Sequence, residues 1–109
     1  MFAFEIPGMR FSLPAGAAIE RHRFVSANAN SQGVTATAST PILGVSMNKV
    51  AADQVLEIAD GIVMVEAGAA VTAGVAVASN AQGQAVAGDG PAIALTSAAA
   101  AGELITVKL

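Results

Sequence analysis

Short apolar stretches recur along the chain, separated by segments rich in glycine, asparagine and serine that favour turns. The turn signals come about every ten residues, a spacing typical of β-sandwiches and β-barrels. We therefore predict an all-β fold, a small β-barrel or β-sandwich with at most one short helix. The predicted strands are 23–27, 34–38, 42–46, 55–59, 62–66, 75–79, 84–87, 93–96 and 103–109.

Two turns and two alanine-rich stretches refine this prediction. Asp60-Gly61 lies between two predicted strands, and an Asp-Gly pair in that setting is the strongest short signal for a β-hairpin. Residues 80–83 mark a second turn. The alanine-rich stretches 15–21 and 97–101 are too short to hold a helix alone, so either could supply one helical turn.

The first residues have the pattern of a strand with one apolar face. Phe2, Phe4 and Ile6 alternate with smaller or charged residues, and a Pro-Gly pair then interrupts the pattern. Such a segment predicts an extended N-terminal arm over residues 1–14, which could pair with another chain by strand addition, ahead of a single β-rich domain over residues 15–109. The alternative is an ordinary first strand of the domain's own sheet.

The domain also contains an internal similarity. Two pairs of segments match at spacings of 50 and 49 residues: 41–46 with 91–96, and 52–58 with 101–107. Each unit has the pattern of a strand, a turn of small residues and a second strand. We predict a repeated hairpin, 41–58 and 91–107. Chance matching in a chain rich in alanine and valine is the alternative.

The composition excludes several classes of protein. With no cysteine in 109 residues, the chain has neither disulfides nor Cys-type zinc sites. A net charge of −3 argues against a nucleic-acid partner. Only 12% of residues are charged and 54% are hydrophobic, so much alanine and valine must be exposed on a chain of this size. We therefore expect an oligomer; a monomer with an inert, alanine-coated surface is the alternative.

No membrane-spanning or targeting segment is expected. The longest charge-free run, residues 67–88, contains polar residues and several glycines and lacks a block of leucine, isoleucine or phenylalanine. The N-terminus has no basic residues ahead of an apolar core, so we predict no signal peptide and synthesis in the cytoplasm.

Residues that carry chemistry are few and scattered. His22 is the single histidine, and without cysteines or clustered acids it forms no metal site. Glu57, Asp60 and Glu66 surround the predicted hairpin, where they could act as acid and base but more simply form an acidic rim. The glycine-rich segment 88–91 lacks the context of a phosphate-binding loop. We predict no catalytic, cofactor-binding or metal-binding residues.

Several segments together resemble the capsid cement, or head decoration, proteins of tailed bacteriophages. They are 21–25, 42–45, 61–65, 68–74, 80–86 and 99–107, and the resemblance covers residues 15–109. It rests on glycine and apolar positions. It implies a β-tulip-like fold, no enzymatic activity, no cofactor, and a place on the outer surface of the virion capsid after synthesis in the host bacterial cytoplasm.

The resemblance gives the N-terminal arm a partner. Phe2, Phe4, Ile6, Arg10 and Phe11 become candidate contacts with the major capsid protein, and Arg21 and Arg23 become candidate rim contacts that set the register. Related decoration proteins form trimeric knobs, so the expected partners are the major capsid protein and further copies of the chain in a homotrimer, with no nucleic acid and no membrane.

Other functions fit parts of the sequence. Residues 68–74 also resemble loops of biotinyl and lipoyl carrier domains, which need an exposed lysine at a tight hairpin tip. Lys49 lies near a turn but its neighbours match such domains poorly, and Lys108 is terminal. A small ligand-binding β-module, a small-molecule enzyme using the acids near Asp60, and another phage structural component such as a tail protein are the remaining alternatives.

Overall fold

The computed structural model describes residues 3–109 and confirms the all-β prediction. These residues contain no helix, and so none long and apolar enough to cross a membrane. The two alanine-rich stretches form isolated bridges instead, Ile19 with Val50 and Val71 with Ala98. The strands are β1 (Ile6–Pro14), β2 (Phe24–Ala27), β3 (Gly33–Thr35), β4 (Gly44–Ser46), β5 (Val55–Glu66), β6 (Ala76–Ser79), β7 (Ala85–Ala87), β8 (Ala92–Ala94) and β9 (Leu104–Lys108).

The strands form one antiparallel sheet that curls into a half-barrel. The sheet order is β3-β2-β4-β5-β9-β8-β6-β7, and β1 pairs with the other side of β5. Ala59 in β5 shows this arrangement, because it lies opposite Arg10 of β1 on one side and Val45 of β4 on the other. With 12 residues, β5 is long enough to pair with β4 near its start and with β9 near its end.

The predicted Asp60-Gly61 hairpin is wrong, because both residues lie inside β5. Gly61 has a φ of +89°, and a Cβ there would lie 2.6 Å from the backbone nitrogen of Gly8. Across from it, β1 has a bulge, since its register with β5 shifts between Pro7 and Arg10. The Asp60 Oδ1 accepts a hydrogen bond of 2.8 Å from the Met9 amide inside this bulge. The Asp-Gly pair therefore accommodates a bulge in the neighbouring strand.

The predicted break at Pro7 is also wrong, because β1 begins at Ile6 and continues to Pro14. Proline donates no ladder hydrogen bond and is confined to edge strands, starts of strands and bulges. β1 meets that condition, since among residues 3–109 it pairs with β5 alone. The structure therefore places residues 6–14 in the domain's own sheet, while contact of this segment with another protein stays a prediction. Phe2 lies outside the described residues.

The strand pairing repeats along the chain, and we call residues 6–60 unit 1 and residues 61–108 unit 2. β1 pairs with the first half of β5 as the second half of β5 pairs with β9. The turn after β2 and the turn after β6 are alike. In each turn, an asparagine Oδ1 accepts hydrogen bonds from two backbone amides. Asn28 accepts them from Asn30 and Gln32, and Asn80 from Gln82 and Gln84.

The ladders give the correspondence between the units. Val25 lies opposite Gly44 in unit 1 as Val77 lies opposite Ala92 in unit 2. Residues of β1 to β3 therefore correspond to residues 52 positions later, and residues of β4 to residues 48 positions later. Residues of the first half of β5 correspond to residues of β9 49 positions later. Each strand residue of unit 1 that lies in these ladders therefore has a counterpart in unit 2.

The two units do not have equivalent cores. The core of unit 1 is a small cluster that includes Ile19, Val25, Leu56 and Ile58. A larger cluster contains the core of unit 2, with Val63, Val65, Ile105 and Val107 among its members, and also Phe24, Val45 and Ala59 of unit 1. One face of unit 1 is thus buried against unit 2.

Candidate functional site

The exposed apolar side chains at the start of the chain lie on and beside an unpaired strand edge. Ile6 is 63% exposed and Met9 is 64% exposed, while Phe4 just ahead of β1 is 38% exposed. Within residues 3–109, nothing pairs with the outer side of β1. We call Phe4, Ile6, Met9 and the outer backbone of β1 the β1 edge. An unpaired edge with apolar side chains is a template for pairing with another chain.

A buried threonine fixes the start of the β1 edge. The Thr106 hydroxyl in β9 accepts a hydrogen bond of 2.5 Å from the Phe4 amide and donates one of 2.6 Å to the Phe4 carbonyl. The Glu5 carboxylate accepts a hydrogen bond of 3.3 Å from the Met64 amide. These bonds hold residues 4 and 5 against β5 and β9. The Phe4 backbone is therefore fixed to the sheet while its side chain stays partly exposed.

The other two predicted arm residues contact their own domain. Phe11 is partly buried and packs, with Leu13, against the core of unit 1. The Arg10 Nη2 lies 3.1 Å from the Glu57 Oε1, and both side chains are about half exposed. An exposed pair of this kind contributes about 0–1 kcal/mol to stability. Phe11 therefore packs β1 against the rest of the domain, whereas the side chains of Phe4 and Ile6 remain exposed.

Met9 is an exposed apolar residue that the sequence analysis did not identify. Strict alternation from Phe2, Phe4 and Ile6 leaves no place for it, because the bulge after Pro7 shifts the register. The two prolines of β1 were the signal that this strand lies at an edge, since proline is excluded from central strands.

Of the two predicted rim arginines, Arg21 is exposed and Arg23 is engaged inside the chain. The Arg23 Nη2 lies 2.8 Å from the Glu66 Oε2, and its Nη1 donates a hydrogen bond of 3.1 Å to the Gln82 carbonyl. Gln84 donates a further hydrogen bond to the same Glu66 oxygen. Arg23 belongs to unit 1 and its partners to unit 2, so this network joins the two units.

The residues with potential chemistry have structural partners. Glu57, Asp60 and Glu66 contact Arg10, the Met9 amide and Arg23 respectively. Among residues 3–109 there is no group of three histidine, cysteine or acidic residues that could hold a metal ion. Segment 88–91 borders an open cleft that is lined mainly by alanine, serine, threonine and proline, with Asp89 the one charged residue in its lining.

His22 lies next to the Arg23 network in a strained conformation. Its φ of +62° is left-handed, and its counterpart in unit 2 is Gly74, with a φ of +92°. The His22 carbonyl accepts a hydrogen bond of 2.9 Å from the Glu66 amide. Burial, reinforced by the neighbouring Arg21 charge, lowers the pKa of His22. The residue therefore favours its neutral form at the junction of the two units.

These features define a class of protein, a small duplicated β-sheet domain with an unpaired strand edge that carries exposed apolar side chains. A family model of phage cement proteins matches residues 5–109, and the chain belongs to this family. The predicted resemblance is confirmed, and the match extends further towards the N-terminus than predicted, taking in β1. The chain is therefore a phage structural protein associated with the capsid.

The fold is also similar to a solved phage structure. The N base of the head fiber gp8.5 of bacteriophage phi29 has 19% sequence identity to this chain, a TM-score of 0.75, and 91% of each chain covered. At this identity the likeness shows the fold alone. No curated protein matches the chain in sequence.

Proposed function

We propose that this protein binds the outer surface of the phage head as a homotrimer and stabilises the shell against the internal pressure of packaged DNA. It does so without catalysis. The observation that carries the proposal is the β1 edge, an unpaired strand edge with exposed apolar side chains in a member of a cement-protein family. The fold likeness to another phage head protein supports it.

The partner on the shell is the major capsid protein, which adds a strand along β1. Burying the exposed remainder of Ile6 or Met9 contributes about 1–2 kcal/mol each. Each new backbone hydrogen bond adds about 0.5–1.5 kcal/mol net. Because β1 is already ordered in the sheet, its backbone loses little entropy on binding. Three edges on one trimer act together, and such linkage raises avidity by about 10²–10⁴.

The experiment measures occupancy on expanded heads. Deleting residues 1–12 would also remove Phe11 from the core of unit 1, so charged substitutions on the exposed part of the edge are cleaner. Ile6→Asp and Met9→Asp should each lower the affinity for heads by about 10-fold or more, because each places an unpaired charge in the interface. Leu43→Asp is the matched control, since Leu43 is 37% exposed and lies away from β1.

Occupancy is read from gel densitometry or cryo-electron microscopy, and shell strength from resistance to heat and chelators. Wild-type occupancy with both edge variants would reject strand addition at β1. Heads that are equally resistant with and without the protein would reject the stabilising role.

A further inference from the structure

One face of unit 1 is buried against unit 2 within the chain. Phe24, Val45 and Ala59 lie directly opposite one another across β2, β4 and β5, and all three are fully buried. Residues directly opposite in a ladder project from the same face of the sheet. The unit 2 core covers this row, since Val63 and Val65 belong to the same buried cluster. In turn 80–83, the Gly83 carbonyl also accepts a hydrogen bond of 2.7 Å from the Phe24 amide.

Other contacts complete this junction. The Ser79 hydroxyl donates a hydrogen bond of 3.4 Å to the Ala36 carbonyl, and the Arg23 network adds the Glu66 and Gln82 contacts. The hydrogen-bonding part of the covering surface of unit 2 thus consists of four residues at the end of β5 and around the turn after β6: Glu66, Ser79, Gln82 and Gly83.

The counterpart of the covered row is open in unit 2. Ala76, Ile93 and Lys108 correspond to Phe24, Val45 and Ala59 and lie opposite one another in the same way. All three are exposed, and Ile93 is 50% exposed. We call Ala76, Ile93 and Lys108 the open row.

The counterpart of this hydrogen-bonding part is open in unit 1. The residues that correspond to Glu66, Ser79, Gln82 and Gly83 are Pro14, Ala27, Asn30 and Ser31, and all four are exposed. We call these four residues the open turn face. The chain therefore has one complete junction inside it, and the counterparts of its covered row and of its hydrogen-bonding covering residues are exposed.

We infer that a second copy of this chain covers the open row, by placing its open turn face where turn 80–83 lies on unit 1. The inference rests on the proposed self-association and names the surfaces that carry it. The interface is head-to-tail, because two different faces meet. Contacts of this type close into a ring when the rotation between copies allows it.

The two open surfaces are chemically compatible. None of the four residues of the open turn face is charged, so contact with Ala76 and Ile93 buries no acid. Lys108 is the one charged residue of the open row, and its long side chain can keep the ammonium group in water. Val75 stands where Arg23 stands in unit 1, and Pro14 stands where Glu66 stands in unit 2. The junction between copies therefore lacks the ion pair of the internal junction and depends on apolar contact.

The test is the association state of the full purified chain, without capsids, measured by light scattering and sedimentation from about 1 μM to about 1 mM. We expect the wild-type chain to associate. Ala76→Glu on the open row and Ala27→Glu on the open turn face should each weaken association by at least about tenfold. Ala100→Glu, at an exposed position outside both surfaces, should associate as the wild type does. Unchanged melting of each variant at low concentration verifies folding.

Two further measurements identify the head-to-tail arrangement. A mixture of the Ala76→Glu and Ala27→Glu variants retains one intact junction, so it should form a dimer that neither variant forms alone. The double variant Val75→Arg with Pro14→Glu restores the internal ion pair between copies, so it should associate about tenfold more tightly than either single variant.

A wild-type chain that stays monomeric at about 1 mM would overturn the inference, as would Ala76→Glu associating as tightly as Ala100→Glu. Failure of the mixed variants to form a dimer would also overturn it. The inference and the proposed function can fail independently, because the Ile6→Asp variant should lose head binding and keep self-association. A chain that associates through these surfaces but never binds heads would reject the proposed function alone.

Discussion

Loss of the Arg23 network should destabilise the protein far more than loss of an ion pair at the surface. The Arg23 and Glu66 side chains are 19% and 27% exposed, and their charged atoms lie 2.8 Å apart. Arg23→Met keeps much of the aliphatic stem and removes the hydrogen bonds to Glu66 and to the Gln82 carbonyl. Hydrogen bonds to charged groups contribute about 1.5–3 kcal/mol each, reduced here by partial exposure. We expect the free energy of unfolding to fall by about 2 kcal/mol.

The measurement is urea unfolding at one fixed protein concentration, since self-association would add to apparent stability. A loss of about 2 kcal/mol corresponds to a fall in Tm of about 8 °C for a chain of this size. The matched control is Arg10→Met, because the Arg10–Glu57 pair has similar geometry at 3.1 Å but side chains that are 49% and 46% exposed. That control should lose less than about 1 kcal/mol.

A double-mutant cycle with Glu66→Gln separates the pair from its surroundings. The coupling energy between Arg23 and Glu66 should be about 1–2 kcal/mol, and that between Arg10 and Glu57 below about 0.5 kcal/mol. Equal losses from Arg23→Met and Arg10→Met, or a coupling near zero between Arg23 and Glu66, would refute the view that this network joins the two units.

Three further predictions concern single positions. Because the pKa of His22 is lowered from its usual 6.5, its contribution to stability is intact above pH 6.5 and falls away as the pH drops below it. His22→Asn tolerates the left-handed φ and should flatten that part of the Tm profile; an unchanged slope would contradict this origin. Gly44→Ala should lower Tm strongly, because a Cβ there meets the Ala59 carbonyl oxygen, whereas Gly88→Ala, with its nearest atom at 3.8 Å, should melt as the wild type does. Thr106→Val should release the start of the chain, seen as faster hydrogen exchange of the Phe4 amide with Tm lowered by only a few degrees; protection equal to wild type would show that the hydroxyl is not the tether.

The all-β fold and most strands followed from local sequence, but long-range partners did not. Asp60-Gly61 suits a hairpin and also suits a position facing a bulge, and only pairing with Met9, 51 residues away, distinguishes the two. Arg23 shows the same limit. Its charged neighbours in the sequence suggest a rim contact, and only the fold shows that it pairs with Glu66, 43 residues away. The local pattern of apolar and turn residues indicates which residues form strands, but the contacts of those strands depend on the order of the strands in the sheet.

The repeat shows a different limit. Residues 15–19 and 67–71 are nearly identical, and the Asn28 and Asn80 turns follow at the same spacing, so the duplication was visible in the sequence. Matching only the apolar strands placed Gly44 against Ala94, whereas the ladders place it against Ala92. The spacing changes because eight residues join β3 to β4 while four join β7 to β8.

Only part of the β1 edge can form a regular ladder with another strand. Proline at positions 7 and 14 supplies no amide, and the bulge at Gly8 and Met9 interrupts the regular ladder. Bulges and prolines are the devices that keep exposed edges from aggregating. Only the short stretch between the bulge and Pro14 can extend the sheet regularly. The proposed strand addition therefore forms few regular ladder bonds per edge, and the capsid protein must fit the bulge to pair with all of β1. Under the proposed function, the limited edge keeps copies of the protein from joining edge to edge, and the linkage of several edges in one oligomer supplies the strength that a single edge lacks.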